Sequence, residues 1–486
     1  MRNIVKQLII EGIQEKAAES FIKDTIQNTE FENKVYAVGG YVRDFVLGLD
    51  AKDLDIVVDY PNGGIVFADW ITKKIGNYKH GSNPVIFPRF LTAQFNFNGI
   101  VYRGIDLTGY KIESVAPRSE EYLDPTSRKP EVKQSDLKGD SLRRDLSINA
   151  LYKNISTGEI IDPSKMGISD IKNKILRPAG DPDKVYSEDA LRLLRIIRFY
   201  AKFDYKIPLN IIRSIKRNAP KLNNISNERI SDELNKMLLT SSPDKAIKAL
   251  KVTGLLKYVI PELLPLVRLA QNKYHKEDAF KHTLSVLSRT QPDLVTRLMG
   301  LFHDIGKATT KSVDPETGGV HFYGHEMDGE RITDEVMTRM KYPRELIDAV
   351  KIGVRNHMRM KSAGDTGVKI SDKALLKFRN EMGIMLPKVL NLMHADNTSH
   401  ADAASMPNQI RNLEARISTL KDIPKKPKMP ISGNDLIASG LKPGPLFKEI
   451  MAAVLDAWYA NPKLSRNESL EIARRMAQSA RDKGQV

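Results

Sequence analysis

Asp53 and Asp55 stand one residue apart in Lys52-Asp-Leu-Asp-Ile-Val-Val58, shortly after Val38-Gly-Gly-Tyr-Val-Arg43-Asp. In a strand, residues i and i+2 share a face. The two carboxylates therefore converge outward while Leu54, Ile56 and Val58 turn to the core. Two hard anionic oxygens at that separation suit Mg²⁺, which takes substrate phosphates as remaining ligands. Gly39 and Gly40 let backbone approach a phosphate at the start of a helix. Asp-x-Asp alone is common by chance, but Gly-Gly-x-x-Arg-Asp ahead of it, between a strand and a helix, makes a bare polar strand edge a poor account. The arrangement reads as nucleotidyl transfer.

Two further segments carry groups suited to choosing a nucleotide. Residues 141–151 read Ser-Leu-Arg-Arg-Asp-Leu-Ser-Ile-Asn-Ala-Leu, and residues 187–199 read Ser-Glu-Asp-Ala-Leu-Arg-Leu-Leu-Arg-Ile-Ile-Arg-Phe. On one helix, Asp189 and Arg192 lie three apart and share a face. A carboxylate accepts from an exocyclic amine, and a guanidinium donates to ring acceptors. C and A both set an amino group beside an unprotonated ring nitrogen, and U and G present the reverse, so such a pair can select C and A without a template. A surface ion pair is the ordinary meaning of this spacing, and only the flanking motifs reverse that preference. Arg195 and Arg198 continue the row but drift around the helix, toward a triphosphate or neighbouring acids.

A second cluster follows downstream: Lys281-His282-Thr, Leu301-Phe-His303-Asp304-Ile-Gly-Lys307, His325, Asn356-His357 and Met393-His-Ala-Asp396. A lone histidine is more often structural than a ligand. Imidazole with carboxylate nevertheless suits a divalent transition metal, and several of only nine histidines fall in these segments.

These groups need a scaffold. A chain of 486 residues has room for about three domains. Residues 3–29 carry apolar positions at helical spacing. Strand patterns follow at Val35–Val38, Asp55–Val58, Phe90–Phe97 and Ile100–Leu107, with Asn98-Gly99 as a hairpin turn between the last two. Beyond about residue 180 helical periodicity takes over, and Lys421–Pro430, rich in Pro and Lys, reads as a linker. The balance of 76 Lys+Arg against 60 Asp+Glu gives a net charge of +16, which suits a polyanionic partner such as nucleic acid. Cysteine is absent, so disulfides and thiolate metal sites are excluded, in keeping with a reducing compartment. No stretch approaches the roughly 18 apolar residues of a membrane span, and the expectation is a soluble, cytoplasmic protein with no membrane partner.

In order along the chain, the Gly-Gly/Asp-x-Asp segment, Arg-Arg-Asp, a connector from Asp162-Pro to Arg177, Glu188-Asp-x-x-Arg192 and Asn227-Glu-Arg-Ile-Ser-Asp-Glu-Leu resemble the five motifs of class II tRNA nucleotidyltransferases, the CCA-adding enzymes of the polymerase-β-like superfamily. The resemblance spans roughly residues 30–475. It implies an α+β fold: a small mixed-sheet head with helices, then a long all-α body containing an HD domain. The expected division is a helical extension at 1–29, the head at 30–178, a helical neck at 179–265, the HD domain at 266–420 and a helical tail at 421–486. The implied reaction is template-independent addition of CCA to tRNA from CTP and ATP, with Mg²⁺ on Asp53 and Asp55. The resemblance implies a third carboxylate, matched by Glu113 through its distance from Arg118, with Asp106 the competing choice. The resemblance assigns nucleotide binding to Gly39, Gly40, Arg43, Arg144, Asp145, Asn149, Glu188, Asp189 and Arg192, with Arg195 and Arg198 beside them, and gives Arg43 to the triphosphate.

The histidine cluster resembles HD-family phosphohydrolases. That likeness makes His282, His303, Asp304 and Asp396 the ligands of a divalent transition metal. It gives His325 and His357 to phosphate or a second metal, with 2′-phosphatase or 2′,3′-cyclic phosphodiesterase activity. Rival readings are a poly(A) polymerase, a partial CC- or A-adding enzyme, a non-catalytic tRNA-binding protein, and a protein in which the HD centre is the principal activity. The segment Arg89-Phe-Leu-Thr92 departs from the Arg-Phe-Gly-Thr of many CCA enzymes and keeps partial addition open.

Overall fold

The computed structural model describes residues 2–51, 53–76, 83–121, 131–271, 277–360, 370–400, 406–420, 429–439, 441 and 444–482. The linker expected at 421–430 and the basic run Lys425–Lys428 fall almost wholly outside the described residues. Two compact units divide the chain, Met1–Pro261 and Glu262–Val486.

The first unit opens with α1 (Arg2–Ile26) and builds a seven-stranded sheet. Its strands are β1 (Val35–Val38), β2 (Asp55–Val58), β3 (Val85–Phe87), β4 (Thr92–Asn96), β7 (Lys111–Val115), β10 (Tyr152–Asn154) and β11 (Ile160–Ile161). They lie in the order β11-β10-β1-β2-β7-β4-β3. Only β2 and β7 pair in parallel, so the sheet is mixed. Two small hairpins stand apart, β5 (Val101–Tyr102) with β6 (Ile105–Asp106), and β8 (Arg118–Glu121) with β9 (Glu131–Gln134).

One face of the sheet is sealed. Leu54, Ile56, Val58, Ala93 and Ile112 are buried, and α3 (Gly63–Lys74) contacts β2, β4 and β7. An aromatic chain runs from Phe31 to Phe67 at 5.2 Å, on to Phe95 at 6.1 Å, Phe97 at 5.8 Å and Phe21 of α1 at 5.3 Å. The opposite face carries Val38, Val57 and Tyr152, covered in part by Leu137 and Ile161, and is open around the carboxylates. The apolar/polar alternation expected of β2 is thus modified, because Val57 is as buried as Ile56.

Ile100–Leu107 is not one strand. Arg103 and Gly104, at φ 50° and 82°, fold it into the β5–β6 hairpin, a type I′-like turn, and β4 pairs with β3 and β7 instead. The strand expected at Phe90–Phe97 begins only at Thr92, because Pro88–Phe90 forms a short 3-10 turn.

Helices α2 (Gly40–Val46), α4 (Leu137–Leu142) and α5 (Gly167–Asn173) belong to the head. The remainder of the unit is helical: α6 (Pro182–Glu188), α7 (Arg192–Phe203), α8 (Leu209–Asn218), α9 (Asn227–Leu238), α10 (Pro243–Val252) and α11 (Leu256–Val259). The helix expected to run through Glu188-Asp-x-x-Arg192 is two. Asp189 caps α6 in an extended conformation at φ −144°, and α7 starts at Arg192.

The second unit is a bundle of α12 (Ala279–Arg289), α13 (Leu294–Phe302), α14 (Lys307–Thr310), α15 (His325–Arg339), α16 (Arg344–Asn356), α17 (Asp372–Met382), α18 (Leu386–Asn397) and α19 (Gln409–Thr419). It includes a small hairpin of β12 (Ser312–Val313) and β13 (Val320–His321). A tail of α20 (Gly433–Ala438), α21 (Pro445–Ala460) and α22 (Arg466–Asp482) has its own apolar core around Leu436, Ile450 and Val454. No helix of the described residues is long and apolar enough to cross a membrane.

Candidate active site

Asp55 begins β2, and Asp53 lies just before that strand. Ile56 pairs with Ser114 of β7, which sets Glu113 beside Asp55 on the open face. Burial first, then the negative charges of Glu113 and Asp53, push the Asp55 carboxyl up to about 6, with Arg144 pulling the other way. Asp55 keeps an exposed surface, so it stands in a crowded concavity that still opens to water. Asp106, the competing third carboxylate, sits on the separate β5–β6 hairpin and accepts from the Thr108 amide at 2.8 Å. The geometry therefore groups Asp53, Asp55 and Glu113. Clustered hard oxygens whose mutual repulsion raises a pKa fit a small divalent cation.

Gly39, at φ 73°, caps α2 above this cluster, and a side chain built there would meet Arg144 Nη1 at 3.8 Å. Arg144 is aimed by Asp140, which is fully buried. Oδ2 of Asp140 accepts from Arg144 Nε and Nη2 at 3.1 and 2.9 Å and from the Tyr152 hydroxyl at 2.6 Å. Its Oδ1 accepts from Arg143 Nε and Nη2 at 2.9 and 2.6 Å. Burial alone would raise this carboxyl, but the two guanidinium charges hold it well below the usual range. Arg144 Nη1 makes no hydrogen bond among the described residues.

From here a line of alternating charges runs into the helices. Arg43, 5% exposed, donates from Nε and Nη2 to Asp44, both at 2.8 Å, and from Nη1 to Asn149 Oδ1 at 2.6 Å. It also lies over the rings of Phe199 and Phe203, at 5.2 and 5.1 Å. The structure thus places Arg43, expected at the triphosphate, in a buried supporting position. Asn149 Nδ2 donates to Asp145 at 3.0 Å, and Arg195 Nε donates to Asp145 at 2.7 Å. Burial raises Asp145, but the charge of Arg195, the bond from Asn149 and the charge of Arg192 outweigh it and hold the carboxyl down to about 2. Glu233 of α9, 2% exposed, takes Arg198 Nε at 2.7 Å and Arg195 Nη1 at 3.9 Å. Arg195 and Arg198 therefore meet neighbouring acids.

Asp189 accepts from the Leu191 amide at 3.0 Å and from Arg229 of α9 at 2.8 Å. Arg192 gives Nη1 to the Val185 carbonyl and to Glu188, both at 3.0 Å. Its Nε and Nη2 have no hydrogen bond among the described residues. Both base-reading candidates are thus pinned on one side and keep capacity on the other. Gly40, at the start of α2, would meet Arg43 Nη2 at 3.4 Å if it carried a side chain.

The histidine cluster assembles in the second unit with every candidate ligand buried. His282 Nε2 lies 3.0 Å from Asp396 Oδ1 and 3.6 Å from Asp304 Oδ2, and His303 Nε2 lies 3.2 Å from the same Oδ2. On the other oxygen, Asp304 Oδ1 lies 3.4 Å from His325 Nε2 and 3.7 Å from His357 Nε2. One carboxylate thus faces two sets of imidazoles. His303, His325 and His357 each donate Nδ1–H to a backbone carbonyl, of Gly300, Phe322 and Val354 at 2.9, 2.8 and 2.7 Å. In that tautomer Nε2 presents a lone pair. The Nε2 atoms of His325 and His357 then face each other at 3.2 Å, an arrangement that calls for a cation between donors. Burial holds His282 and His325 near 4, which leaves both neutral, whereas at His303 burial is outweighed by the opposing effects, the charge of Asp304 first among them, and the imidazole is raised. Lys307 Nζ lies 2.7 Å from Asp304 Oδ2. The turn after Asp304 needs glycine, since a Cβ on Gly306 would meet the His325 carbonyl at 2.2 Å.

Sequence reading missed Asp140, Arg229 and Glu233. Asp140 stands three and four residues before the Arg-Arg pair, a helical ion-pair spacing that was available as a signal. Arg229 and Glu233 lie inside the quoted fifth motif, but nothing local to them names a partner. The connector resolves into a lock: Arg177 pairs with Asp170 through Nε and Nη2, both at 2.9 Å, and Ser147 donates to Asp170 at 2.6 Å.

Three family profiles match in order. They are the poly A polymerase head domain over residues 35–177, a probable RNA and SrmB-binding site of polymerase A over 204–266, and the HD domain over 280–400. The A-adding tRNA nucleotidyltransferase of Deinococcus radiodurans is 29% identical over 341 residues, 66% of this chain and 75% of the relative. The CC-adding tRNA nucleotidyltransferase of Thermus thermophilus is 30% identical over 333 residues, 66% of this chain and 73% of the relative. Among solved structures, the Bacillus stearothermophilus CCA-adding enzyme in complex with CTP shares the fold with a TM-score of 0.64 at 20% identity, covering 96% of this chain and 99% of that one. A CCA-adding enzyme with ATP gives 0.54 at 20% identity, covering 97% and 95%.

Proposed function

This chain belongs to the tRNA nucleotidyltransferase family, and on that footing we propose that it adds C, C and A to tRNA 3′ ends from CTP and ATP, releasing pyrophosphate. The observation that carries the reading is the grouping of Asp53, Asp55 and Glu113 on the open sheet face, where burial and then the charges of Glu113 and Asp53 push the Asp55 carboxyl up. These three would hold Mg²⁺, which when bound neutralises charge on the transferring phosphoryl group and lowers the pKa of the attacking hydroxyl.

The chain's own residues do the rest. Arg144, aimed by Asp140, offers Nη1 to the triphosphate beside Gly39. Asp189 accepts the base amine, and Arg192 donates Nε and Nη2 to ring acceptors, which chooses C and A. Arg43, Asn149, Asp145, Arg195 and Arg198 hold these groups in register. The tRNA 3′-oxygen attacks the α-phosphate in line and pyrophosphate leaves. Glu188 keeps Arg192 from swinging away. We place the reaction in the cytoplasm, in keeping with the cysteine-free sequence, and retain the five-segment division at residues 29/30, 178/179, 265/266 and 420/421.

In the second unit, His282, His303, Asp304 and Asp396 would hold a divalent transition metal. His325 and His357 would hold a second metal or a phosphate, making the centre a phosphohydrolase for 2′-phosphate or 2′,3′-cyclic phosphate ends. Partial addition is the second reading, favoured by the two curated relatives, one A-adding and one CC-adding. Incubating tRNA that lacks its 3′ end with CTP, ATP and both, then sequencing the products, tests the proposal. Terminal C-C-A only in the mixture is the expected result. A product stopped at C-C with both triphosphates present, or a long A tail, overturns it.

A further inference from the structure

The open face continues past the reaction centre to the edge of the sheet. Glu113 pairs with Gln94 of β4, and Gln94 pairs with Val85 of β3, so the row reads Asp55, Glu113, Gln94, Val85. Phe87, two residues on from Val85, shares its face. β3 is the edge strand, and Val85, Ile86 and Phe87 are 53%, 43% and 45% exposed. An apolar edge of this kind is normally covered or charged. Cations border the turn that follows it: Arg89 and Arg118 each lie 5.9 Å from the Phe90 ring, and Arg118 donates to Thr92 Oγ1 at 2.8 Å and to the Phe90 carbonyl. Lys111, two before Glu113, is also exposed on the carboxylate face.

Exposed apolar and aromatic side chains flanked by arginines form a stacking bed for single-stranded nucleic acid. Strand spacing of about 4.8 Å puts β3 roughly 10 Å from the strand that carries Glu113. We propose that Val85 and Phe87 are positioning residues that stack the last unpaired base of the incoming tRNA, so that its 3′-hydroxyl reaches the carboxylates. This rests on the nucleotidyl-transfer reading and deepens it. The occupant is the acceptor strand, because the bed lies on the carboxylate face and cations border the turn that follows it.

Steady-state incorporation by wild type, Phe87→Ala, Phe87→Trp and Val85→Ser is the test, with the full chain and tRNA lacking its 3′ CCA. Base stacking on an aromatic group carries a sizeable share of single-strand affinity. Phe87→Ala should therefore raise KM for tRNA roughly tenfold while KM for CTP and ATP stays within about twofold. Val85→Ser should act in the same direction, and Phe87→Trp should restore wild-type values. An unchanged KM for tRNA in Phe87→Ala overturns the proposal, as does a matching rise in KM for the triphosphates. A shift in oligomeric state on Phe87→Ala also overturns it, by assigning β3 to a second copy. A wild-type protein that incorporates no nucleotide would sink the underlying reading instead, whereas an active wild type with an indifferent Phe87→Ala sinks only the stacking bed.

Discussion

Replacing Asp140 by Asn keeps the shape and deletes the charge on which two arginines and a tyrosine converge. The carboxylate is fully enclosed and accepts five side-chain hydrogen bonds of 2.6 to 3.1 Å from Arg143, Arg144 and Tyr152. An amide turns an NH₂ toward guanidinium donors and leaves two cations without a counter-charge. Breaking a buried ion pair from one side costs about 3 to 5 kcal/mol. Arg143 and Arg144 keep 15% and 17% side-chain exposure, so some of their charge is solvated and the low end, about 3 kcal/mol, is expected. The chain has two tryptophans. A Trp458→Phe background leaves Trp70, packed 4.9 Å from Phe31 in the first unit, as the reporter of urea unfolding there. At an m-value of about 2 kcal/mol per molar, the midpoint should fall by about 1.5 M. Tyr152→Phe should cost only about 1 kcal/mol, and the double variant should be less than additive. Arg144, no longer aimed, should also lose its anion, raising KM for CTP. An Asp140→Asn midpoint within about 0.2 M of wild type would refute the view that this carboxylate organises the Arg-Arg pair.

Asp53→Ala should abolish nucleotide incorporation while tRNA binding, read by filter retention, persists; robust incorporation would remove Asp53 from the site. Asp304→Ala should abolish phosphate release from 2′,3′-cyclic substrates and leave CCA addition intact, and equal loss of both would show that the centres are not independent. Asp145 has a folded pKa of about 2 against about 3.9 unfolded. Its contribution, about 2 to 3 kcal/mol, is therefore present above pH 4 and lost as the pH falls through 2. Asp145→Asn should flatten that part of the acid-unfolding profile, and an unchanged slope would contradict the Arg195 pairing. Leu91 sits at φ 51° where the family pattern has glycine, a left-handed conformation that costs roughly 1 kcal/mol for a side chain. Leu91→Gly should be nearly neutral, and Leu91→Ile should destabilise by about 1 to 2 kcal/mol; urea midpoints decide between them.

The grouping of the candidate residues was legible where it depended on residue type and short spacing. Asp53 and Asp55 declared themselves through the alternation around Leu54 and Ile56, and the histidine set through scarcity of that residue elsewhere. What stayed hidden was partner choice across the fold. Nothing near Arg229 announces Asp189, and nothing near Arg43 announces the rings of Phe199 and Phe203. The helix break at Asp189 was masked because its neighbours are good helix formers, and the break is made by the Asp189 side chain accepting its own Leu191 amide. β3 went unread because three consecutive exposed apolar residues, Val85 to Phe87, show no alternation between faces.

The line Asp44, Arg43, Asn149, Asp145, Arg195, Glu233, Arg198 has few loose ends. Each member between the two ends is shared by two others, so a ligand that borrows one partner forces a re-pairing down the row. A nucleotide drawing on Arg195 would loosen Glu233, and with it the purchase of α9, whose Arg229 restrains Asp189. Arg195 and Asp189 are thereby tied through a single helix, so that a shift at the first is felt at the second.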